Sequence, residues 1–285
     1  MQSEFLERLS IFKKNRLAMA ALLVAILLIV LSLSAALLTA YDPVETDLDK
    51  KLMPGFWAGN WEHPLGTDNL GRDMLSRLLH GGAISLRVGY LVIAVTALFG
   101  TLLGLVSAYY GGVVDILIQR IMDVLLSFPP LLLALAIAAS LGAGLENAML
   151  AISLVYIPQM ARVVRGSVLK VKTSSFIEAS KALAGGNLWI MARHILPNIF
   201  PAALVYLTLL LADAILYTAS LGFLGVGIKP STPEWGAMLS SGKEYLLMGQ
   251  WWVTVFPGLM IVLAVLSFNL VGDGLREAFD SKLKR

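Results

Sequence analysis

The chain has 285 residues, of which 58% are hydrophobic and only 14% are charged. About a quarter of the residues in a soluble globular domain are charged, so this composition excludes an ordinary soluble protein and indicates an integral membrane protein. The net charge of +3 gives no support for nucleic-acid binding, and the lack of cysteine excludes disulfides, iron–sulfur clusters and thiol nucleophiles.

The first 16 residues predict an amphipathic leader that lies on the cytoplasmic leaflet. Its apolar residues recur at helical spacing among basic ones: Phe5, Leu6, Leu9 and Phe12. Such a helix either anchors the chain or grips a neighbouring subunit, and the sequence does not separate these roles. Residues 17–40 contain no charge, and we expect them to be retained as the first transmembrane helix rather than cleaved as a signal peptide.

Apolar runs long enough to cross a bilayer indicate six transmembrane helices. The runs are 17–40, 88–110, 124–141, 147–161, 199–228 and 251–271. The fourth is the shortest, and we expect it to extend to Val164, with Arg162 reaching back to the interface. Pro129, Pro130 and Pro158 predict bends in the third and fourth helices.

An even number of spans places both termini on the same side of the membrane. That side carries 15 of the 22 Lys and Arg residues. The positive-inside rule therefore predicts that both termini and the polar segment after the fourth span are cytoplasmic. Residues 41–87 then form the largest extracytoplasmic segment.

The extracytoplasmic segment contains a candidate helix. Asp68 is positioned to cap a helix over residues 69–80, which Gly81 and Gly82 would end. Its polar residues are Arg72, Asp73, Ser76 and Arg77. The sequence therefore predicts a short helix that lies on the membrane surface before the second span.

The polar segment at 173–198 carries the signals of a short, well-defined helix. Ser175 and Glu178 have the spacing of a capping box, in which each side chain bonds a free amide of the first turn. The helix is expected to run to Ala184, because Gly185 and Gly186 permit the positive φ that ends a helix.

A second short helix is predicted over 188–195, ending before Pro197. Two helices joined at a glycine corner form either a solvated connector or a rigid knob that docks into a groove. Because the segment combines capping, compactness and an apolar face, we favour the knob.

Asp213 lies near the middle of the fifth span, where a carboxylate costs about 2.5–3.5 kcal/mol on insertion scales. Such a residue faces water or the interior of the helix bundle. It either lines a translocation path, where it meets a cationic peptide terminus or a metal ion, or is structural. A structural Asp213 is bonded to Ser, Thr or Tyr groups across an interface or is protonated. We favour the structural alternative.

The sequence contains no pattern for catalysis or nucleotide binding. Lys243 follows a glycine but precedes Glu244 rather than Ser or Thr, so a Walker A loop is excluded. The three histidines lie on separate segments without the spacing of metal ligands. The chain is therefore expected to be no enzyme and to hold neither a cofactor nor a metal of its own.

Two residue pairs mark the ends of the polar segment: Glu178-Ala179 and Leu196-Pro197. With the glycine corner between them, they resemble the coupling motif of bacterial ABC importer permeases, which inserts into a cleft on the ATPase subunit. The pattern in that family is Glu-Ala-Ala, then Gly, then Ile-x-Leu-Pro.

Three residues depart from that pattern. Ser180 replaces the second Ala, Ala184 stands at the Gly position, and His194 holds the Ile position. The resemblance nevertheless implies a set of ATPase-coupling residues: Ser175, Glu178, Ala179, Ser180, Ala184, Gly185, Gly186, Leu196 and Pro197.

Further stretches narrow the resemblance to one subfamily. They are LGTD at 65–68, GRD at 71–73, SR at 76–77, SL at 85–86, LGFLG at 221–225, PEWG at 233–236, FN at 268–269 and GDGLR at 272–276. Together they resemble the C-type permease of dipeptide, oligopeptide and nickel uptake systems. This implies an all-α, six-helix type I ABC importer permease fold, with a five-helix permease domain at 88–285 and a coupling loop at 165–198.

The resemblance also implies partners. A homologous second permease would complete the translocation pore, two cytoplasmic subunits would bind ATP and Mg, and an extracytoplasmic protein would deliver substrate. Candidates to face that protein are Asp68, Arg72, Asp73 and Arg77; the alternative is that they only brace the loop with ion pairs. The expected cargo is short peptides, and the alternative cargo within the family is nickel or a metal chelate. The alternative from another class of protein is a stand-alone secondary transporter or channel.

Overall fold

The structure is a computed structural model that describes residues 10–226, 228–229 and 231–279. Within these ranges the regular elements are helices, supplemented by an isolated bridge between Thr67 and Asp73. Of the four apolar leader residues named above, Phe12 alone falls within the described part of the chain; the basic residues Lys282, Lys284 and Arg285 lie outside it.

The helices, in chain order, are α1 (Arg16–Leu33), α2 (Ala35–Leu38), α3 (Met74–Tyr110), α4 (Gly112–Leu126), α5 (Pro130–Leu141), α6 (Leu145–Lys172), α7 (Ser175–Ala182), α8 (Asn187–Ile190), α9 (Leu196–Phe223), α10 (Trp235–Gly242) and α11 (Trp252–Phe279). A π-helical turn, Met191–Ile195, joins α8 to α9. Among the described residues, five helical stretches are long and apolar enough to span a membrane, and the pair α4–α5 is a sixth if it counts as one span.

The first helix is held by small residues. Ala18, Ala21 and Ala25 point into the protein, whereas Leu23 and Leu27 are exposed on the opposite side. Small side chains allow close approach of membrane helices, because dispersion contacts rather than the hydrophobic effect stabilise their packing in lipid. The prediction of a transmembrane helix over 17–40 is confirmed, although α1 ends at Leu33 and the short separate helix α2 follows.

The second span begins much earlier than predicted. Asp73, rather than Asp68, caps α3, because its side chain accepts a hydrogen bond of 2.7 Å from the Ser76 amide. The helix then passes through Gly81 and Gly82 and continues for 37 residues. A Cβ at Gly82 would collide with Ser32 of α1, so these glycines provide close packing and do not end the helix. The separate surface helix predicted over 69–80 is therefore wrong.

The predicted third span at 124–141 is wrong as a single helix. α4 and α5 meet at an angle of 90°. Pro130 is the first residue of α5, a position that proline favours because its missing N–H has no partner to lose there. The bend predicted from the two prolines is thus confirmed. The helix before the bend begins at Gly112, which is 12 residues before the predicted start of the span at 124.

The packing of α3 against α6 shows that α4 and α5 together cross the membrane. Gly100 of α3 contacts Met160 of α6, and further along both helices the Lys172 ammonium donates to the Tyr109 carbonyl at 2.6 Å. The two helices are therefore parallel. Two spans that run in the same direction require the chain between them to cross the bilayer once in the opposite direction. The described part of the chain therefore has six spans, as predicted.

The fourth span is longer than the predicted 147–161. α6 has 28 residues and carries two arginines that pair with carboxylates of α4. Arg162 donates to Asp123 at 2.7 Å in an exposed ion pair, and Arg165 forms two hydrogen bonds with Asp115 at 2.6 and 2.7 Å. The helix continues beyond Val164 to Lys172, and the reach of Arg162 to the membrane interface stays a prediction.

The ends of the described chain lie together. Asn15, just before α1, donates to Glu277 near the end of α11 at 2.8 Å, and Phe12 packs in the same cluster as Ala278. Because the number of spans is even and α7 and α8 follow the fourth span, they lie at the same end of the bundle as these two chain ends. The part of the leader that the structure describes thus packs against its own chain.

Candidate coupling site and translocation path

The two-helix corner, residues 175–195, consists of α7, α8 and the π-helical turn. Ser174 rather than Ser175 caps α7, and it does so through its backbone: the Ser174 carbonyl accepts from the amides of Ile177 and Glu178 at 3.0 and 3.3 Å. The predicted capping box is therefore wrong. Glu178 nevertheless lies in the first turn, where the helix dipole favours a carboxylate.

The turn between the two helices depends on an alanine. Ala184 has φ of +58°, the left-handed region that costs a residue with a Cβ about 1–2 kcal/mol. Gly186 has φ of −65°, and Gly185 is needed for space, since a Cβ there would lie 2.8 Å from the Ser180 carbonyl. The prediction that the glycines supply the positive φ is thus wrong by one residue.

Pro197 does not end the second helix. It lies in the first turn of α9, and helical structure continues without a break from Asn187 to Phe223. Because proline lacks the N–H that would bond the Arg193 carbonyl, the chain widens into the π-helical turn Met191–Ile195 just before it. The corner is therefore joined rigidly to the fifth span.

The apolar side chains of the corner form a buried base and an exposed tip. At the base, Ile177, Ile190 and Ile195 are completely buried against α3 and α6. At the tip, Leu183 is 85% and Leu188 is 76% exposed. Large apolar side chains this exposed outside the membrane mark a surface that binds another protein.

An open pocket of about 560 Å³ lies beside the tip. Its lining residues are Ser180, Leu183, Gly185, Trp189 and His194. The Trp189 ring, itself 53% exposed, packs edge-on against the His194 ring with centroids 4.6 Å apart. His194, which replaces the Ile of the family pattern, therefore braces the wall of this pocket.

The residues assigned to coupling are all accessible. Ser180 and Gly185 are half-buried. The other members of the set, which lie in the corner and in the first turn of α9, are exposed: Ser175, Glu178, Ala179, Ala184, Gly186, Leu196 and Pro197. The structure thus gathers the whole set on one unit at the end of the bundle.

Two residues that the sequence patterns do not single out hold the elements around the corner together: Tyr109 joins the corner to α3, and Lys172 joins α6 to α3. The Tyr109 hydroxyl donates to the Asn187 side-chain oxygen at 2.9 Å. Lys172 donates to the carbonyls of Ala108 and Tyr109, and its ammonium and that of Lys181 lie 5.9 and 6.0 Å from the Tyr109 ring centre. A lysine beside the last carbonyls of a long helix is a recognisable C-terminal signal, but only the fold shows which helix it caps.

The external charged cluster is buried. Arg72 donates to Asp68 at 2.6 Å, Arg77 lies 3.4 Å from the same carboxylate, and Asp73 pairs with His63 at 2.9 Å. All four candidate residues for contact with a binding protein have their side chains inside the segment. The geometry therefore fits the bracing alternative. These side chains hold residues 41–73 onto the start of α3, and they do not lie on the surface of the extracytoplasmic segment.

A further buried carboxylate, Glu234, belongs to the PEWG stretch at 233–236, for which the sequence patterns predict no structural role. Glu234 accepts from the Ala237 amide at 2.8 Å and from the Ser85 hydroxyl at 3.1 Å. Burial raises its pKa, while these bonds, which favour the charged form, act in the opposite direction. Glu234 and the neighbouring Trp235, whose indole donates to the Leu78 carbonyl at 3.0 Å, fix α10 to α3 outside the spans.

Asp213 is exposed in the chain by itself, although it lies in the middle of α9. Tyr206 and Tyr217 lie on the same face of the helix, and Tyr156 of α6 stacks on Tyr217 with ring centres 5.5 Å apart. The carboxylate interacts electrostatically with all three phenol groups. Within the described ranges, no His, Asp and Glu side chains are grouped in threes that suit a metal ion.

Family comparisons agree with this architecture. Residues 100–285 match the family described as the binding-protein-dependent transport system inner membrane component. Residues 5–54 match the N-terminal transmembrane domain of oligopeptide transport permease C. The two matches together cover most of the chain.

Curated relatives are similar over nearly their whole length. The dipeptide transport system permease protein DppC of Haemophilus influenzae is 42% identical over 276 residues, which are 96% of this chain and 93% of the relative. The di/tripeptide transport system permease protein DppC of Pseudomonas aeruginosa and the glutathione transport system permease protein GsiD of Escherichia coli are each 43% identical, covering 96% of this chain and 90% and 89% of the relatives.

Among solved structures, a chain of the MetNI methionine ABC transporter in an inward-facing conformation has a similar fold. The TM-score is 0.57 at 22% identity, over 73% of this chain and 98% of the other. This likeness confirms the predicted class of fold, an ABC importer permease.

Proposed function

This chain belongs to the binding-protein-dependent transport system inner membrane components as a permease subunit of an ABC importer, and we propose that its cargo is short peptides. The relatives at 42–43% identity are named for dipeptides, for di- and tripeptides and for glutathione, which is itself a tripeptide. A free α-amino group and peptide-like backbone are common to these substrates.

The protein lies in the inner membrane with both termini and the two-helix corner on the cytoplasmic side. Two observations support this orientation: the parallel packing of α3 and α6, by which the corner and residues 41–73 lie at opposite ends of the bundle, and the excess of Lys and Arg on the corner's side. In this orientation the Glu234 loop and the segment 41–73 face the binding protein.

The corner docks into a cleft on a cytoplasmic ATPase. The observation that carries this proposal is the combination of a buried base with an exposed apolar tip at Leu183 and Leu188. The base makes the corner rigid, and the tip offers apolar surface to a groove. Two such ATPases hold ATP and Mg, so hydrolysis takes place on the partners and the chain itself transmits movement.

Movement of the corner reaches the membrane along two routes. The helical connection through the π-helical turn leads directly into α9. Tyr109 and Lys172 connect the corner to the ends of α3 and α6, and the Asp115–Arg165 pair connects α6 to α4. Closure of the ATPases therefore tilts four spans together, and a homologous second permease completes the pore that this tilting opens and closes.

The docking proposal is tested by placing a charge on the tip. Leu183→Glu should abolish copurification of the ATPase subunits with the membrane complex, because an unpaired carboxylate in an apolar cleft is not tolerated. Leu247, which is 93% exposed at the opposite end of the bundle, provides the matched control. Leu247→Glu should retain the ATPases. Equal retention by both variants would rule out docking at this tip.

A further inference from the structure

A polar face runs along α9 in the membrane. Tyr206, Asp213, Tyr217 and Ser220 are spaced seven, four and three residues apart, which places them on one side of a helix. None of the four is fully buried in the chain by itself. The four polar residues therefore span about four turns of the helix on one side, with the buried Leu210 between Tyr206 and Asp213.

The neighbouring helix α6 extends this face. Gln159 accepts a hydrogen bond of 3.2 Å from the Tyr206 hydroxyl, and Tyr156, one turn earlier, stacks on Tyr217 with the ring planes 9° apart. The Tyr156 hydroxyl is buried and has no hydrogen-bond partner among the described residues. A buried, unpartnered hydroxyl, whose oxygen can accept a hydrogen bond, is a polar group available to something outside the described residues.

This face is unsuited to lipid. A carboxylate exposed to hydrocarbon at mid-span is expensive, and intramembrane ionisable groups therefore face water or a partner. Asp115 and Asp123 of α4 are paired with arginines, whereas Asp213 has no charged partner among the described residues. A charge that balances the ionised form of Asp213 therefore comes from outside the described part of the chain.

We propose that Asp213, with Tyr156, Tyr206 and Tyr217, forms a site in the translocation path that binds the α-ammonium group of a passing peptide. A carboxylate supplies the ion pair, and tyrosine ring faces attract cations through their quadrupoles. The α-ammonium is the cationic group that all short peptides with a free N-terminus share. The inference rests on the proposed import of peptides and adds the chemical group that the path recognises.

The electrostatic part of the proposal can be tested without transport. The chain lacks cysteine, so Leu216→Cys places a unique thiol on an exposed position one turn from Asp213. In the assembled complex, a cationic methanethiosulfonate should modify this thiol about tenfold faster than an anionic one of similar size. Adding Asp213→Asn should abolish that preference, whereas adding Glu146→Gln, a change at an exposed carboxylate at the start of α6, should leave it intact.

The recognition part is tested by uptake into proteoliposomes that contain both permeases and the ATPases, with the binding protein added. Asp213→Asn should lower uptake of an unmodified dipeptide about tenfold, as expected for loss of a charge-assisted hydrogen bond, and Glu146→Gln should not. Assembly, measured by copurification of the ATPases, should be unchanged in both variants.

Four results would overturn the site. The first is an unreactive thiol at position 216 in a complex that transports, and the second is a charge preference that survives Asp213→Asn. The third is wild-type dipeptide uptake by the Asp213→Asn variant, and the fourth is loss of Ni²⁺ uptake by that variant while its dipeptide uptake stays intact. The first three leave import of peptides standing. A complex that imports no peptide in its wild-type form contradicts the proposed function instead.

Discussion

Ala184 shows how one residue sets the shape of the coupling corner. The turn needs a left-handed residue there, and alanine takes that conformation at a cost, next to two glycines that do not take it. At the same scale, a hydrogen bond from Tyr109 holds Asn187 of the corner to α3, and Lys172 joins the end of α6 to the last carbonyls of α3. Single residues thus decide how firmly the corner is held to the bundle.

Replacing Ala184 with glycine should stabilise the corner. Glycine adopts φ of +58° without steric cost, so Ala184→Gly should make local opening less favourable by about 1 kcal/mol. Trypsin cleavage at the exposed Lys181 should slow about fivefold in the purified complex. Ala184→Val, whose branched side chain disfavours the left-handed region further, should speed cleavage, and slower cleavage in the valine variant would contradict the account of this turn.

At the scale of elements, glycines determine which helices can touch. Gly104 of α3 lies so close to α6 that a Cβ would collide with the Ala161 carbonyl and lie 2.9 Å from the Val164 Cβ. Gly100 makes the same kind of approach to Met160. This close packing keeps α3 and α6 parallel, and the parallel arrangement in turn establishes that α4 and α5 cross the membrane between them.

The packing at Gly104 gives a prediction with a matched control. Gly104→Ala should destabilise the protein by about 1–3 kcal/mol through overpacking. Gly166 lies on the exposed side of α6, where a methyl group would meet no described atom within 4 Å, so Gly166→Ala should be neutral or slightly stabilising. The measurement is the free energy of unfolding in mixed detergent micelles. Similar values for the two variants would show that α3 and α6 are not in close contact at this glycine.

At the scale of the whole molecule, apolar runs in the sequence predict the number of spans and the position of the corner correctly. They fail where tertiary contacts decide. Gly81 and Gly82 resemble a helix end but are packing positions against α1 and α10. Pro197 resembles a stop but begins a helix after a π-helical turn. The external charges resemble a binding surface, yet their partners, His63 and each other, come together only when residues 41–73 fold.

The most direct test of the central claim is to identify what the tip of the corner touches. Leu188→Cys and Leu247→Cys each introduce the chain's single thiol, at the two opposite ends of the bundle. In the complete complex, a short thiol-to-amine cross-linker should join the thiol at position 188 to an ATP-binding subunit and should not join the thiol at position 247 to that subunit. A cross-link from position 188 to the binding protein, or from position 247 to the ATPase, would contradict the account.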